Sequence, residues 1–566
     1  MKTTPSAKPQ WVDEWKQIRK LSFQNRIQAC EKFKALTWIP EFPHQDLVSF
    51  KRAEYCRTAP PLNPKKFESL MDLARYHRDD FRYEKALPLL GKAFKRARTL
   101  DQRLECLEEQ HKIHRSRQDR KMRLKTLQKM ARLDPEKYTV EYARALWTFD
   151  QTKKAQSELR RADKKWKKSF SRQGVYYIQG RILEEQKKPD QALQFFEKAL
   201  LQPDVEADLN SQLLSSVAWW QFKKENFERS ASLWQSLAEK SKDRFTQTRA
   251  QYWQAKSLLR LAKPETEKAQ ALLRTLIQDD PLSYYSVLAH RDLGEKFKPV
   301  KAFKGPAQDL KEISWFKSED ADKFQWALAF DEKTFLDSLL NSYLPDFLKA
   351  SKREQRVLLE NYWAASLTNS IVRLLSLIPA EKRVDFFNDH QNLLFPSKYE
   401  TEIQKLSELE KMDASFVLSL IRQESGFNPM ARSPTDALGL MQLMPSLARK
   451  LAVEAGVQFQ EETQLFDPDL NLKLGIRELK NRLQEFGGSA VLAAASYNAG
   501  SDAVKSWIKT RYRPNLVEFI EEIPFEETRS YVRLILRNQI FYKRLLETKP
   551  FPFPDSALAD IRPAPR

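Results

Sequence analysis

The sequence predicts a mainly α-helical protein, and three observations carry the prediction. Glycine is scarce, with 12 in 566 residues, well under the ~7% of an average chain. Lys, Arg, Glu, Leu and Ala are abundant. The 41% of hydrophobic residues supply a sizeable core, yet no apolar run reaches the ~18 residues a membrane-spanning helix needs. Turn-dense all-β folds and glycine-rich nucleotide folds are thereby disfavoured. The length suggests three or four domains at about 150 residues each.

From about residue 10 to 300 the chain reads as successive amphipathic helices with short polar breaks. In VYYIQGRILEEQKKPDQALQFFEKALLQPD, Gly180, Ala192, Phe196 and Ala199 fall at tetratricopeptide-like spacing. Small residues there let two antiparallel helices approach, and the aromatic fills the gap between pairs. AWWQFKKENFERSASLWQSLAEK and the stretch from QYWQAK to QDDP repeat the idea with weaker matches. Residues 1–305 are therefore expected to form an α-superhelical solenoid of helical hairpins, an irregular helical domain being the alternative. The pattern breaks at FKPVKAFKGPAQDL, and a helical linker domain is expected over 306–396. LLFPSKY, punctuated by Pro396, precedes a third unit over 397–550. Residues 551–566 are proline-rich and read as an extended tail.

Net charge is +21, from 97 Lys+Arg against 76 Asp+Glu. A field of that sign favours anionic partners. Basic clusters at Lys112–Lys129 and Lys153–Lys168 read as solvated helix faces, with a surface for an anionic polymer as the alternative. They lack the pattern of a nucleic-acid module, so no nucleic-acid partner is expected. His111 and His114 lie near Cys106 at a spacing that matches no standard zinc module. Three cysteines cannot complete a disulfide framework, and a Cys30–Cys56 pair stays open. The start, MKTTPSAKPQWVDEW, has no apolar h-region, so this chain as given carries no signal peptide.

Seven of the glycines lie between Gly426 and Gly500, while every histidine precedes residue 391 and every cysteine precedes residue 107. Regions rich in tight turns often carry function. If this one is catalytic, it cannot build a Ser-His-Asp centre, a Cys-His centre or a His/Cys metal site. Carboxylate chemistry remains.

In MDASFVLSLIRQESGFNP, Asp413 is a plausible N-cap. Val417, Leu420, Ile421 and Glu424 follow at i, i+3, i+4 and i+7, so Glu424 continues an apolar stripe. Gly426 and Pro429 end the helix. A carboxyl at the end of a buried face loses hydration, which raises its pKa and suits it to act as a general acid. The alternative is a Glu that turns to solvent or pairs with Arg422. Gly439 then opens a tight turn, and Leu440, Met441, Gln442, Leu443 and Met444 suggest a lined groove in which Gln442 donates and accepts hydrogen bonds. SAVLAAASYNAGSDAV is a helix with a small-residue face that brings Tyr497 and Asn498 to its end.

Across about 130 residues these pieces come in one order. They are Glu424-Ser425, Phe427-Asn428-Pro429, Ser433-Pro434, Gly439-Leu440-Met441-Gln442, Pro445, Tyr497-Asn498-Ala499-Gly500, Ile523-Pro524-Phe525, Glu527-Thr528-Arg529 and Tyr531-Val532. The set resembles the soluble lytic transglycosylase (Slt-type) family, and DDPLSYYSVLAHRDLG resembles the end of that family's superhelix more loosely. The resemblance implies a helical superhelix, a helical linker and a lysozyme-like catalytic domain. It implies Glu424 as the single catalytic acid. Ser433, Gln442, Met444, Tyr497, Asn498 and Glu527 would line the glycan cleft or support the acid, with Ser425, Gly439 and Met441 in supporting places. Asp436 departs from the pattern, standing where the family motif S-P-x-G-A has glycine; Asp tolerates the left-handed region better than most residues.

The activity so implied is cleavage of the β-1,4 bond between N-acetylmuramic acid and N-acetylglucosamine in peptidoglycan, with 1,6-anhydro ends and without water, metal or organic cofactor. The expected partner is the glycan strand, with cell-wall synthesis or amidase proteins as candidate protein partners. The expected location is the periplasm, which the missing leader opposes unless the chain is a processed or trimmed form. Two other readings stand beside it: a hydrolytic lysozyme, and a glycan-binding scaffold without catalysis.

Overall fold

The computed structural model describes residues 5 and 8–554 apart from 25, 58, 168–169, 187, 203–206, 302–305, 366, 368–369, 372–373, 375–376, 379 and 434. Most of the tail expected over 551–566, and Pro434, lie outside the described residues. Among the described residues there are helices and no β-strand, only three isolated bridges: Phe297–Phe551, Arg432–Leu438 and Leu438–Leu443. The chain divides into two compact units, one of residues 59–277 and one of residues 1–58 with 278–566. This division by packing cuts the chain elsewhere than the division by sequence pattern. Residues 1–58 and 278–305 lie in the unit that holds the glycine-rich region.

The 59–277 unit is a run of helical hairpins. Gly180, in the helix Gln173–Glu185, is there for close approach: a Cβ on it would stand 2.4 Å from Cε1 of Phe196, in the helix Pro189–Leu200. Phe196, Ala192 and Ala199 are fully buried, as the spacing required. The hairpin turns are made without glycine. Phe81, Gln118, Asp150 and Glu225 each take a φ of 53–60° between paired helices. The left-handed residue lets the chain leave one helix and enter the next within about three residues, and non-glycine residues accept its modest strain. A glycine-poor chain can thus be rich in tight turns.

In the other unit the N-terminal helices Pro9–Gln24 and Gln45–Tyr55 pack with Ser318–Ala329 and Lys333–Asn341. Trp15 stacks on Phe330 with centroids 4.3 Å apart, and Trp11 and Phe42 meet Trp326. Cys30 and Cys56 form a disulfide that closes the N-terminal segment, while Cys106 is free and buried. Within this aromatic cluster Glu332 accepts from the Trp15 indole at 2.7 Å and pairs with Lys51 at 2.5 Å, both charged side chains being under 5% exposed. Removing one member of a buried pair strands the other and typically costs 3–5 kcal/mol. Lys51→Met is therefore expected to cost about 3–5 kcal/mol in denaturant unfolding. Glu332→Gln, which keeps an acceptor for Trp15, recovers much of the loss in the double variant. A loss that the second change leaves untouched contradicts the assignment.

The C-terminal helices are anchored to the helix Tyr284–Asp292 of the same unit. Tyr285, in the helix Tyr284–Asp292, donates to Glu521 at 2.7 Å, and Glu521 pairs with Arg533 at 2.6 Å. All three are buried. A fragment beginning at 397 would keep Glu521 and Arg533 but lose Tyr285.

Candidate active site

The helix Ala414–Glu424 packs against the long helix Glu526–Leu546. Asp413 caps it, accepting from the Ser415 N–H at 2.8 Å. Its burial exceeds the expected stripe: every residue from Ser415 to Arg422 is buried, so this is a central helix covered on all sides. Gly426 and Phe427 then take φ values of 57° and 64° and turn the chain sharply out of it. Phe427 is fully buried beside Tyr542, and that packing holds a bulky residue in a region it disfavours.

Glu424 sits at the helix end. Protein surrounds its carboxyl on most sides, yet part of the side chain reaches solvent. Burial pushes its pKa up to about 7, against a smaller lowering by the Tyr531 hydroxyl, which donates to Oε1. The alternative pairing with Arg422 is not formed. Arg422 donates to the Leu394 carbonyl and lies 4.1 Å over the Phe395 ring. Glu424 is thus a partly exposed carboxyl without a cation partner among the described residues, half protonated near neutrality. Tyr531 and Tyr497 are both close enough to feel its charge, and burial and that charge raise both phenols well above their ordinary value.

The Gly439–Met444 turn forms the second part. Gly439 has φ +80°, and a Cβ there would stand 2.1 Å from the Leu465 carbonyl oxygen, so only glycine fits. Asn471, fully buried in the helix Pro468–Glu485, fixes the turn. It accepts from the Met441 N–H at 2.8 Å and donates to the Leu438 and Leu465 carbonyls at 3.0 and 2.9 Å. Met441 is a core residue whose side chain packs on Gly475, and its carbonyl accepts from Tyr497 at 2.8 Å. Gln442, at φ 51°, spends its amide N–H groups on the Ala431 and Gly439 carbonyls. Of the donor and acceptor roles expected for it, the donor role is filled within the protein. Met444 is half-buried and stands at the N-cap position of the helix Pro445–Glu454, without a side-chain capping bond.

Ser433 Oγ accepts from the N–H groups of Thr435 and Ala437, so its hydroxyl shapes its own loop. Asp436 does take the left-handed conformation, at φ 66°, and its carboxylate is held by Arg432 at 2.7 Å. The turn survives the loss of glycine because an ion pair holds the replacement. Ser425 Oγ turns back to the Ile421 carbonyl at 3.3 Å. Asn498 is exposed and accepts from the buried Thr528 at 2.6 Å, which places it beside the first turn of the Glu526–Leu546 helix, where Glu527 is exposed.

The structure thus joins Glu424 to Tyr531, Tyr497 to Met441, and Asn498 to the Glu527 turn. It gives Ser425, Ser433 and the Met441 side chain work within the protein. Tyr531 and Thr528, quoted in the motif set without a role, and Asn471, which was not singled out, carry the geometry. Tyr531 lies four residues beyond Glu527, on the same helix face. Asn471 shares a helix face with Leu474 and Gly475, and a polar residue on a buried face must find partners. Both signals stand in the sequence. Among the described residues no three His, Cys, Asp or Glu gather as metal ligands.

Removing the Tyr531 hydroxyl removes what holds the Glu424 pKa down. Tyr531→Phe is therefore expected to move the alkaline limb of the pH–rate profile upward by about one pH unit and to lower turnover by roughly 10–100-fold. A slower enzyme with an unmoved limb assigns Tyr531 a packing role only.

Residues 402–520 match the family model described as "Transglycosylase SLT domain". The soluble lytic murein transglycosylase of Escherichia coli is 27% identical over 318 residues, covering 53% of this chain and 44% of that protein. A putative soluble lytic murein transglycosylase of Haemophilus influenzae is 35% identical over 165 residues, covering 29% of this chain and 28% of that one. The chain thus spans less than half the length of these curated relatives. Among solved structures, the 70-kDa soluble lytic transglycosylase in complex with bulgecin A matches with TM-score 0.59 at 18% identity, covering 99% of this chain and 95% of that one. An inactive mutant of the lytic transglycosylase Slt from Pseudomonas aeruginosa matches with TM-score 0.54 at 20% identity, covering 97% and 85%. At these identities the structural matches establish a shared fold.

Proposed function

From the premise that residues 402–520 belong to the transglycosylase SLT domain family, we propose that the chain is a lytic transglycosylase of peptidoglycan in which Glu424 is the one acid–base group. The observation that carries this reading is a solitary carboxyl raised to about 7 by burial, with a phenol as its hydrogen-bond partner and no cation beside it. Most glycoside hydrolases need a second free carboxylate. Glu478, the other carboxylate that Tyr497 feels, is tied to Arg482 at 2.6 Å.

A single group can serve when the nucleophile belongs to the substrate. Protonated Glu424 gives its proton to the oxygen linking the muramic and glucosamine sugars, and the C1–O bond breaks. The muramic N-acetyl oxygen stabilises the cation at C1. The Glu424 carboxylate then takes the proton of the C6 hydroxyl of the same sugar, and O6 closes on C1. Glu424 ends protonated, as it began, and no water is consumed. A pKa near 7 suits a group that must both give and take a proton at neutral pH. Intramolecular attack has a large entropic advantage over capture of a free water, provided the sugar is held in shape. Gln442, Met444, Tyr497, Asn498 and Glu527 are the residues proposed to hold it, with Ser433, Gly439, Met441 and Asn471 shaping the turn that carries Gln442.

The proposed location is outside the cytoplasm, in the periplasm. The Cys30–Cys56 disulfide supports an oxidising compartment. Among the described residues no helix is long and apolar enough to cross a membrane.

The test is mass analysis of the products from purified peptidoglycan. Muramic ends one water lighter than hydrolysed ends are expected. Reducing ends would make the protein a hydrolytic lysozyme, and intact strands that remain bound would make it a scaffold.

A further inference from the structure

At the end of the Ala414–Glu424 helix opposite Glu424, a cavity of about 480 Å³ opens beside Asp413 and Phe416. Eleven helical residues at about 1.5 Å each put the two ends roughly 16 Å apart, so this cavity is separate from the acid. Its size falls in the roughly 300–1,000 Å³ range of small-ligand sites.

Three lysines line it, Lys411, Lys480 and Lys543, against one acidic residue, Asp413. That carboxylate is already engaged. One oxygen accepts from the Ser415 N–H and hydroxyl at 2.8 and 2.6 Å, and the other from the Gln539 amide at 3.4 Å. Lys543 stands 3.8 Å from Glu547 and 5.6 Å over the centre of the Phe551 ring. By count the lining carries an excess of positive charge, three lysines to one aspartate. Gln484 and Gln539 line it as well, and Met412, Leu483 and Pro554 supply its apolar part.

We propose that this cavity binds a short acidic peptide. The lysines meet carboxylates as charge-assisted donors. The two glutamine amides can both donate to and accept from peptide groups. The apolar part takes small side chains, for which a bare anion such as phosphate has no use. The site is independent of the chemistry at Glu424.

The test is calorimetric titration of the full chain with N-acetyl-Ala-Glu-Ala-Glu and with its Gln-for-Glu counterpart. Saturable binding of the acidic peptide is expected, at least tenfold tighter than the counterpart and weaker as salt rises. The Lys411→Gln/Lys480→Gln double variant is expected to lose at least tenfold in affinity. It should keep its far-UV circular dichroism and its cleavage of peptide-free glycan, which separates this site from the proposed active site. The proposal is overturned by an absence of binding, by equal binding of the two peptides, or by a double variant that binds normally. It is overturned as well if inorganic phosphate competes as strongly as the peptide, since that would reveal a simple anion hole.

Discussion

Glu424→Gln is expected to lower cleavage about a thousand-fold or more, because one group serves as both acid and base. The same change is expected to stabilise the fold at neutral pH. Burial raises the Glu424 pKa from 4.5 to about 7. The folded state therefore holds this proton more tightly than the unfolded chain does. The favourable contribution is complete below the unfolded value and is lost as pH climbs through the folded one. Ionisation opposes folding, and the opposition reaches roughly 3 kcal/mol at and above neutrality. Gln does not ionise, and its side-chain oxygen can still accept from Tyr531. The stability difference between variant and parent should be small at pH 4, grow between pH 4.5 and 7, and level off above. Denaturant unfolding across that range reads it directly. A difference flat with pH would mean that Glu424 is ionised at its ordinary value, and near-normal cleavage by the variant would remove it from the mechanism.

Asn471→Ala carries the second large effect. It strands the Met441 N–H and the Leu438 and Leu465 carbonyls together. At about 1–3 kcal/mol for each buried unpaired group, with some relief from relaxation, a cost of about 3–5 kcal/mol is expected. Activity should fall as well, because Met441 offers the carbonyl that Tyr497 holds, and the same turn carries Gln442. The measurement is unfolding free energy alongside turnover. A cost below about 1 kcal/mol with normal turnover would show that the turn stands without Asn471.

The two predictions differ in how legible they were. Three local signals, an apolar stripe, an N-cap at its start and a glycine after its end, mark Glu424 as the carboxyl that ends a buried helix, while its role as the acid is what the family resemblance implies. Asn471 lies 29 residues beyond Gln442. The sequence marks it only as a polar residue on an apolar helix face, and the helix laid against the turn decides which groups it bonds. Tyr531 lies farther still from Glu424 in sequence, and the hydrogen bond between them exists because the Ala414–Glu424 and Glu526–Leu546 helices pack together. Even where the turn was read, its chemistry was redistributed. Gln442 and Ser433 turned out to hold the loop with the very groups that seemed free for a ligand.

By itself the sequence determined that the chain is helical, where hairpins pack through Gly180 and Phe196, where the glycine-rich region lies and which carboxyl ends its first helix. These are consequences of residue size, backbone freedom and apolar periodicity, all of which act over a few residues. Tertiary structure decided what depends on distant segments meeting. It placed residues 1–58 in the unit that contains Glu424, joined Cys30 to Cys56 and set Lys51 against Glu332. It left Arg422 bonded to the Leu394 carbonyl instead of to Glu424, so that the acid is raised. The physical reason is that a carboxyl's pKa depends on the water and charge around it. Packing sets those surroundings, while the sequence names only the residues available to supply them.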